Sequence, residues 1–289
     1  MTIAAYKSAG TPASVTTGTC TPTWPTHVAG DFALLIAEGN NTDFGTAPSG
    51  WTSLGRIPGN VGSLEVWWKF AASGSETNPG ITPTSPNHTY ANIHTFTNVH
   101  ATNPIHAQVN CDIITASVGR CPGLTTAVDD CLIFAVAAWN IDSAGPLASA
   151  EANSSLGSLT EREDSGTVDG NGGGLIAYTG TKAAAGLVDQ TTFTLGSSAG
   201  LACMTIALAP IADFTIAGTV TINGSPAANG NDVRVLDLTQ PAASYLVATT
   251  TTTGGTGSFT VEAPYDDHNY QAVYEDGASY GASAVAVAV

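Results

Sequence analysis

Leu64-Glu-Val-Trp-Trp-Lys-Phe70 places Leu64, Val66, Trp68 and Phe70 on one side of an extended chain and Glu65, Trp67 and Lys69 on the other. A period of two belongs to a β-strand with one face on a core and one face toward polar surroundings. Trp67 breaks the pattern. A large indole on the polar side is expected to be exposed or to lie in a contact with another subunit. Working outward, 31–37, 92–97, 105–110, 131–139, 174–178, 191–195 and 201–208 read as further strands. Gly/Pro/Asn/Ser clusters such as Thr46-Ala-Pro-Ser-Gly50 and Gly170-Asn-Gly-Gly-Gly174 separate them. Eight strands at this spacing predict a large jelly-roll-like β-sandwich. Residues 143–173 hold few large apolar groups and read as a mobile surface loop.

Composition agrees with an all-β chain. The 289 residues include 32 Gly, 15 Pro and 40 Thr, and only 10% are charged. Thr and the other β-branched residues favour strands, while Gly and Pro punctuate them. The 43% hydrophobic content is enough to offset the entropy of ordering. Seven basic residues against 23 acidic ones give a net charge of −16. Binding to nucleic acid or to an anionic membrane needs clustered Lys and Arg, so neither is expected as a partner. The N-terminus lacks the basic and apolar regions of a signal peptide. The chain is therefore expected to fold in the cytosol.

The rhythm changes near Pro210-Ile-Ala-Asp213. Residues 1–211 carry 15 acidic and 6 basic residues, whereas 212–289 carry 8 acidic residues, Arg234 and no Lys. In the second part Phe214-Thr-Ile-Ala-Gly-Thr-Val-Thr-Ile222 runs into Asn223-Gly224, a strong hairpin signal. Short strands follow at 232–238, 245–251, 258–261, 270–274 and 282–289, with a Gly254-Gly255 turn between the second and third of these. A small Ig/transthyretin-like β-sandwich is expected there.

Several stretches resemble structural proteins of tailed bacteriophages. In the first part these are Ala29-Gly-Asp-Phe-Ala-Leu-Leu-Ile36, Ala47-Pro-Ser-Gly-Trp-Thr-Ser-Leu-Gly55, Leu64-Glu-Val-Trp-Trp-Lys-Phe-Ala71, Thr95-Phe-Thr-Asn-Val99 through Pro104-Ile105, and Met204-Thr-Ile-Ala-Leu-Ala-Pro210. They are similar to a β-sandwich that recurs in such virions. In the second part Ile216-Ala-Gly-Thr-Val-Thr-Ile-Asn-Gly-Ser-Pro-Ala227, Val233-Arg-Val-Leu-Asp237, Thr249–Thr253 and Gly257-Ser-Phe-Thr-Val261 resemble the carboxypeptidase-regulatory-type sandwich often appended to them. The resemblance implies a non-enzymatic virion protein, in capsid decoration or in the tail or neck, assembled in the host cytoplasm. Domain 1–211 would anchor it in the particle, and 212–289 would project or cement neighbours. Its partners would be major capsid or tail proteins and copies of itself, a trimer being the expected oligomer. The resemblance implies no catalytic residue, cofactor or metal.

The residues leave other chemistry to weigh. Thr194-Leu-Gly-Ser-Ser198 is not read as a nucleophile turn. His94, His100 and His106 recur every six residues, but Asn98 and Asn103-Pro104 interrupt the run, so a shared metal site is not expected. Asp129-Asp130 and Asp266-Asp267 read as solvated turns, with calcium as the alternative. Cys111, Cys121 and Cys131 are spaced by ten and read as buried thiols, with a bridge formed in an oxidising medium as the alternative. Trp51, Trp68 and Phe70 read as core. Trp24, in a loop between prolines, joins Trp67 as an expected interface residue. Two rival functions stand beside the virion reading: a host-glycan-binding adhesin using loops 143–173 or 40–60, and a virion-associated glycan hydrolase working through two carboxylates.

Overall fold

The computed structural model describes residues 3–40, 44–58, 62–84, 87–111, 114–211, 214–219, 221–222, 225–226, 232–237, 246–252, 258–263, 269–275 and 280–287. Every regular element among them is a strand. The chain divides into two compact units, one spanning Ile3–Pro210 and one whose main segment starts at Ile211.

The first unit contains β1 (Ala5–Ala9), β2 (Ala13–Val15), β3 (Phe32–Gly39), β4 (Thr52–Ile57), β5 (Ser63–Phe70), β6 (Thr89–Thr97), β7 (Ile105–Asn110) and β8 (Ile114–Cys121). It continues with β9 (Leu124–Thr126), β10 (Cys131–Trp139), β11 (Ala148–Ala152), β12 (Gly157–Thr167), β13 (Gly173–Lys182), β14 (Gly186–Val188) and β15 (Thr191–Leu208). One sheet runs β1-β6-β3-β5-β4, with β2 also on β6. The other runs β11-β15-β10-β13-β12, with β7 and β8 also on β15. Pairing is antiparallel throughout, as in the Leu34↔Trp68 and Val136↔Met204 registers.

The two sheets face each other across the main core. Phe32, Leu34 and Ile36 of β3 meet Phe134 and Val136 of β10 and Met204 and Ile206 of β15 there. Alternate residues of the same strands point the other way and are buried too. Ala33, Leu35 and Trp67 lie under Cys20, Phe44, Trp51 and Ile81, while Ala137, Trp139, Tyr178 and Cys203 lie with Cys121, Phe193 and Leu195. A strand covered on both faces reads as a continuous apolar run, which is why β10 is buried at all nine positions.

Two expectations are corrected here. Trp67 is completely buried. The polar side of Leu64–Phe70 faces a lid of loops instead of solvent, and the indole fills the space under Phe44, with the rings edge-on at 6.0 Å. Residues 143–173 are not a loop, because they contain β11 and the eleven-residue β12. β12 is the end strand of its sheet, so its outer side is polar, and its inward side meets polar residues of β6. It therefore carries few apolar residues to announce it.

The second unit is also antiparallel. β16 (Phe214–Thr219) pairs with β21 (Ser258–Ala263), and β17 (Thr221–Ile222) pairs with β18 (Ser225–Pro226). β19 (Asp232–Asp237), β20 (Leu246–Thr251), β22 (Asn269–Glu275) and β23 (Tyr280–Val287) form a sheet in the order β20-β19-β22-β23. Ile222↔Ser225 is the pairing expected around an Asn-Gly hairpin; Asn223-Gly224, Gly254-Gly255 and Asp266-Asp267 themselves lie outside the described residues.

Candidate functional site

Trp24 marks a surface site. Prolines on both sides stiffen its loop, and two hydrogen bonds hold the residue. Its backbone N–H donates to Asn78 Oδ1 at 3.0 Å, and its indole Nε1–H donates to the Thr77 carbonyl at 3.2 Å. Trp51 lies alongside with ring centroids 5.3 Å apart, and His27 at 4.6 Å. The Glu76 N–H donates to His27 Nε2 at 3.3 Å. That leaves His27 Nδ1 to donate to the Pro25 carbonyl, 2.7 Å away. Trp24 is half-buried, fixed and aromatic.

Beside it opens a cleft of about 440 Å³, lined by Pro48, Ser49, Trp51, Lys69, Glu76 and Asn78 among others. Lys69 comes from the end of β5, with its ammonium 5.9 Å from the Trp24 ring centre and 2.6 Å from a Glu76 carboxylate oxygen. The other Glu76 oxygen accepts the Ala72 and Ser73 N–H groups at 2.6 and 3.3 Å. The Lys69 hydrogen bond, helped by the Ala72 amide and opposed by partial burial, holds the Glu76 carboxyl below its usual range. The cleft thus offers an ammonium, a carboxylate, an amide and an indole edge, a set suited to holding a polar surface or ligand.

A second polar cluster lies inside the sandwich. Glu163 of β12 accepts from Asn92 Nδ2 at 3.1 Å on both oxygens, and from Ser165 at 2.8 Å. His94 Nε2 lies 2.7 Å from it. Tyr90 joins through Ser165 at 2.6 Å, and the Arg162 guanidinium covers the Tyr6 ring at 4.3 Å. Nearby, Glu38 and His88 form a pair at 2.9 Å, both completely buried. Both carboxylates sit against donors within the protein; the Glu163 cluster is a seam joining β12 of one sheet to β6 of the other, and His88 also reaches Asn171 at 3.1 Å.

The structure separates the three histidines read as a series. His94 is in that seam, His100 accepts the Asn103 N–H at 3.2 Å within its own turn, and His106 accepts the Ala127 N–H at 2.8 Å. Among the described residues no group of three or more His, Cys, Asp or Glu is placed to hold a metal. Asp129 accepts the Ala185 N–H at 2.7 Å in the turn before β10. Gly196-Ser-Ser-Ala-Gly200 spells a Gly-x-Ser-x-Gly pattern, but it lies at an irregularity within β15, between the Thr194 and Ala199 pairings with β8. A nucleophile turn leads from a strand into a helix, and here the strand simply continues.

The sequence singles out Trp24 and places Trp51 in the core, where it is 7% exposed. It does not single out Lys69, Glu76 or Asn78. The one trace is Lys69 on the same side of the strand as Trp67, which gains meaning only once that outer face is known to be covered. No family model, curated protein or solved structure matches the chain.

Proposed function

We propose that the chain is a non-enzymatic structural protein of a tailed-phage particle, acting through contacts with neighbouring subunits and using the Trp24 face as one of them. The observation that supports this reading is the Trp24 arrangement: a half-exposed indole residue held by Asn78 and Thr77 and packed on Trp51, three residues that line a cleft. Rigid aromatic anchors beside pockets dominate the energetics of protein contacts, and the net charge of −16 favours a basic or neutral partner surface. Two of the stretches that resemble phage sandwiches form β3 and β5, whose outer face Trp24 and Trp51 pack against. Labelling the chain in purified particles tests the reading. Wild-type chain should sediment with particles, and a folded Trp24→Asp variant should remain in the supernatant. Equal incorporation of both, or particles without the chain, would sink it.

The same cleft favours one second reading, the recognition of a host glycan. Pro48, Ser49 and Trp51 belong to the 40–60 segment, and Lys69, Glu76 and Asn78 supply donors and acceptors of the kind sugar hydroxyls use. Host polysaccharide that protects Trp fluorescence from quenching, in a manner lost in Lys69→Ala, would favour this reading over the first.

A further inference from the structure

Spacing groups Cys111, Cys121 and Cys131 as a set, but the fold assembles a different trio. Cys131 lies in a separate core with Leu124 and Val188. Cys203, far along the chain, joins Cys111 and Cys121 on the outer face of the second sheet.

The register of β7 on β15 pairs Asn110 with Met204, so Cys111 and Cys203 come next and face each other. The Cys111 N–H donates to the Cys203 carbonyl at 2.9 Å, and the Cys203 N–H donates to Cys111 Sγ at 3.1 Å. Directly opposed residues of an antiparallel pair have Cα atoms about 4.5–5.5 Å apart, within the span a disulfide bridges without backbone movement. Cys203 packs in one cluster with Cys111 and Cys121, and Cys121 Sγ contacts the Val136 carbonyl at 3.5 Å. Cys203 and Cys121 are completely buried, whereas Cys111 is partly exposed. An outside reagent therefore meets Cys111 first.

We infer that Cys111 and Cys203 form a reversible cross-strand disulfide when the folded chain meets a low-molecular-weight disulfide oxidant, tying the end of β7 to the centre of β15. The Cys111 thiolate attacks one sulfur of the oxidant RS–SR, forming a Cys111–S–S–R bond and releasing RS⁻. The Cys203 thiolate then attacks Cys111 Sγ, forming the Cys111–Cys203 bond and releasing the second RS⁻. The two protons lost by the protein thiols go to the two RS⁻ groups, so the oxidant is reduced to 2 RSH as the protein loses two hydrogens. Hydrogen bonding to Cys203 and burial hold the Cys111 thiol well above its ordinary range, so the exchange should be slow near neutrality and faster in alkaline buffer.

The test is oxidation of the native, full-length chain by glutathione disulfide, followed by blocking of free thiols in denaturant and trypsin digestion. The chain has five cysteines, and cleavage at Lys69, Arg120, Arg162, Lys182 and Arg234 puts Cys111 in peptide 70–120, Cys121 and Cys131 in 121–162, and Cys203 in 183–234. The free-thiol count should fall from five to three, with 70–120 joined to 183–234. The oxidised chain should melt roughly 5–10 °C higher than the reduced one. Cys121→Ala should still lose two thiols, while Cys111→Ser should lose none. Five thiols after oxidation, or a bond joining 121–162 to any other peptide, would overturn the inference. Mapping in the wild-type chain decides the matter even where a variant fails to fold.

Discussion

His94 Nε2 lies 2.7 Å from Glu163 Oε2, and this contact links β6 of one sheet to β12 of the other inside the sandwich. Both side chains are essentially buried, at 0% and 3% exposure. Tyr90, Asn92 and His94 occupy alternate positions of β6 and form a polar stripe between apolar neighbours. Glu163 and Ser165 of β12 complement it. Such a seam fixes which strands oppose which, because any slip of β12 by one residue would turn Glu163 outward.

Removing the carboxylate should therefore be costly. Glu163→Ala leaves Asn92 and His94 without their shared acceptor and should lower unfolding stability by about 3–5 kcal/mol. Glu163→Gln keeps the shape and should lose less. Urea denaturation of the two variants checks the order, and equal values would contradict the seam.

Stability should fall as pH rises, owing to Glu38 and His88. Burial pushes the Glu38 carboxyl up to about 7 against the hydrogen bond from His88. Burial alone would lower His88, but the hydrogen bond and charge of Glu38 outweigh it and hold His88 above its usual value. A folded-state pKa above the unfolded one means that the native chain holds its proton more tightly. That stabilisation is complete below pH 4.5, wanes toward pH 7 for Glu38, and is lost for His88 only above its ordinary 6.5. Other groups held constant, a proton bound tenfold more tightly by the folded than by the unfolded chain is worth about 1.4 kcal/mol. Melting temperatures of wild type and Glu38→Gln across pH 5 to 8 should show a shallower decline in the variant.

The two tryptophans grouped together by sequence should part in experiment. Trp67→Ala opens a cavity under the loop lid and should cost about 3–5 kcal/mol. Trp24→Ala removes a half-buried ring and its indole hydrogen bond, and should cost about 1–2 kcal/mol; under the proposed function it should also weaken association with particles. Thermal melts and particle sedimentation, measured side by side, check both.

Gly119 of β8 lies flat against the Phe193 ring, so that a Cβ there would come within 2.1 Å of it. Phe193 is buried and cannot swing away freely. Gly119→Ala should lower stability by about 1–3 kcal/mol. Phe193→Leu in the same chain should recover part of the loss, as read in denaturant midpoints.

Much of the fold was legible before any coordinates, because strand formation is recorded locally. The segments read as strands at 105–110 and 131–139 coincide with β7 and β10, and the segments at 191–195 and 201–208 are the two ends of a single β15 that stays continuous through its irregular middle. The strands not foreseen, among them β8, β11 and β12, are short of large apolar residues on at least one face. Local periodicity carries little signal for strands of that kind.

Composition and alternation alone determined that the chain is all-β, rich in hydroxyl groups, acidic, and changed in rhythm near residue 210. Those properties depend on neighbours one or two positions away. Contacts between distant segments decided the remainder. Loops near Phe44, Trp51 and Ile81 cover the outer face of β5 and bury Trp67. The closing of β12 onto β6 turns a polar stretch into part of the interior, and the β7–β15 register brings Cys203 to Cys111 across more than ninety residues of chain. Which face of a strand is covered, and by what, depends on packing at long range, and a period of two is the same whether solvent or another layer lies beyond it.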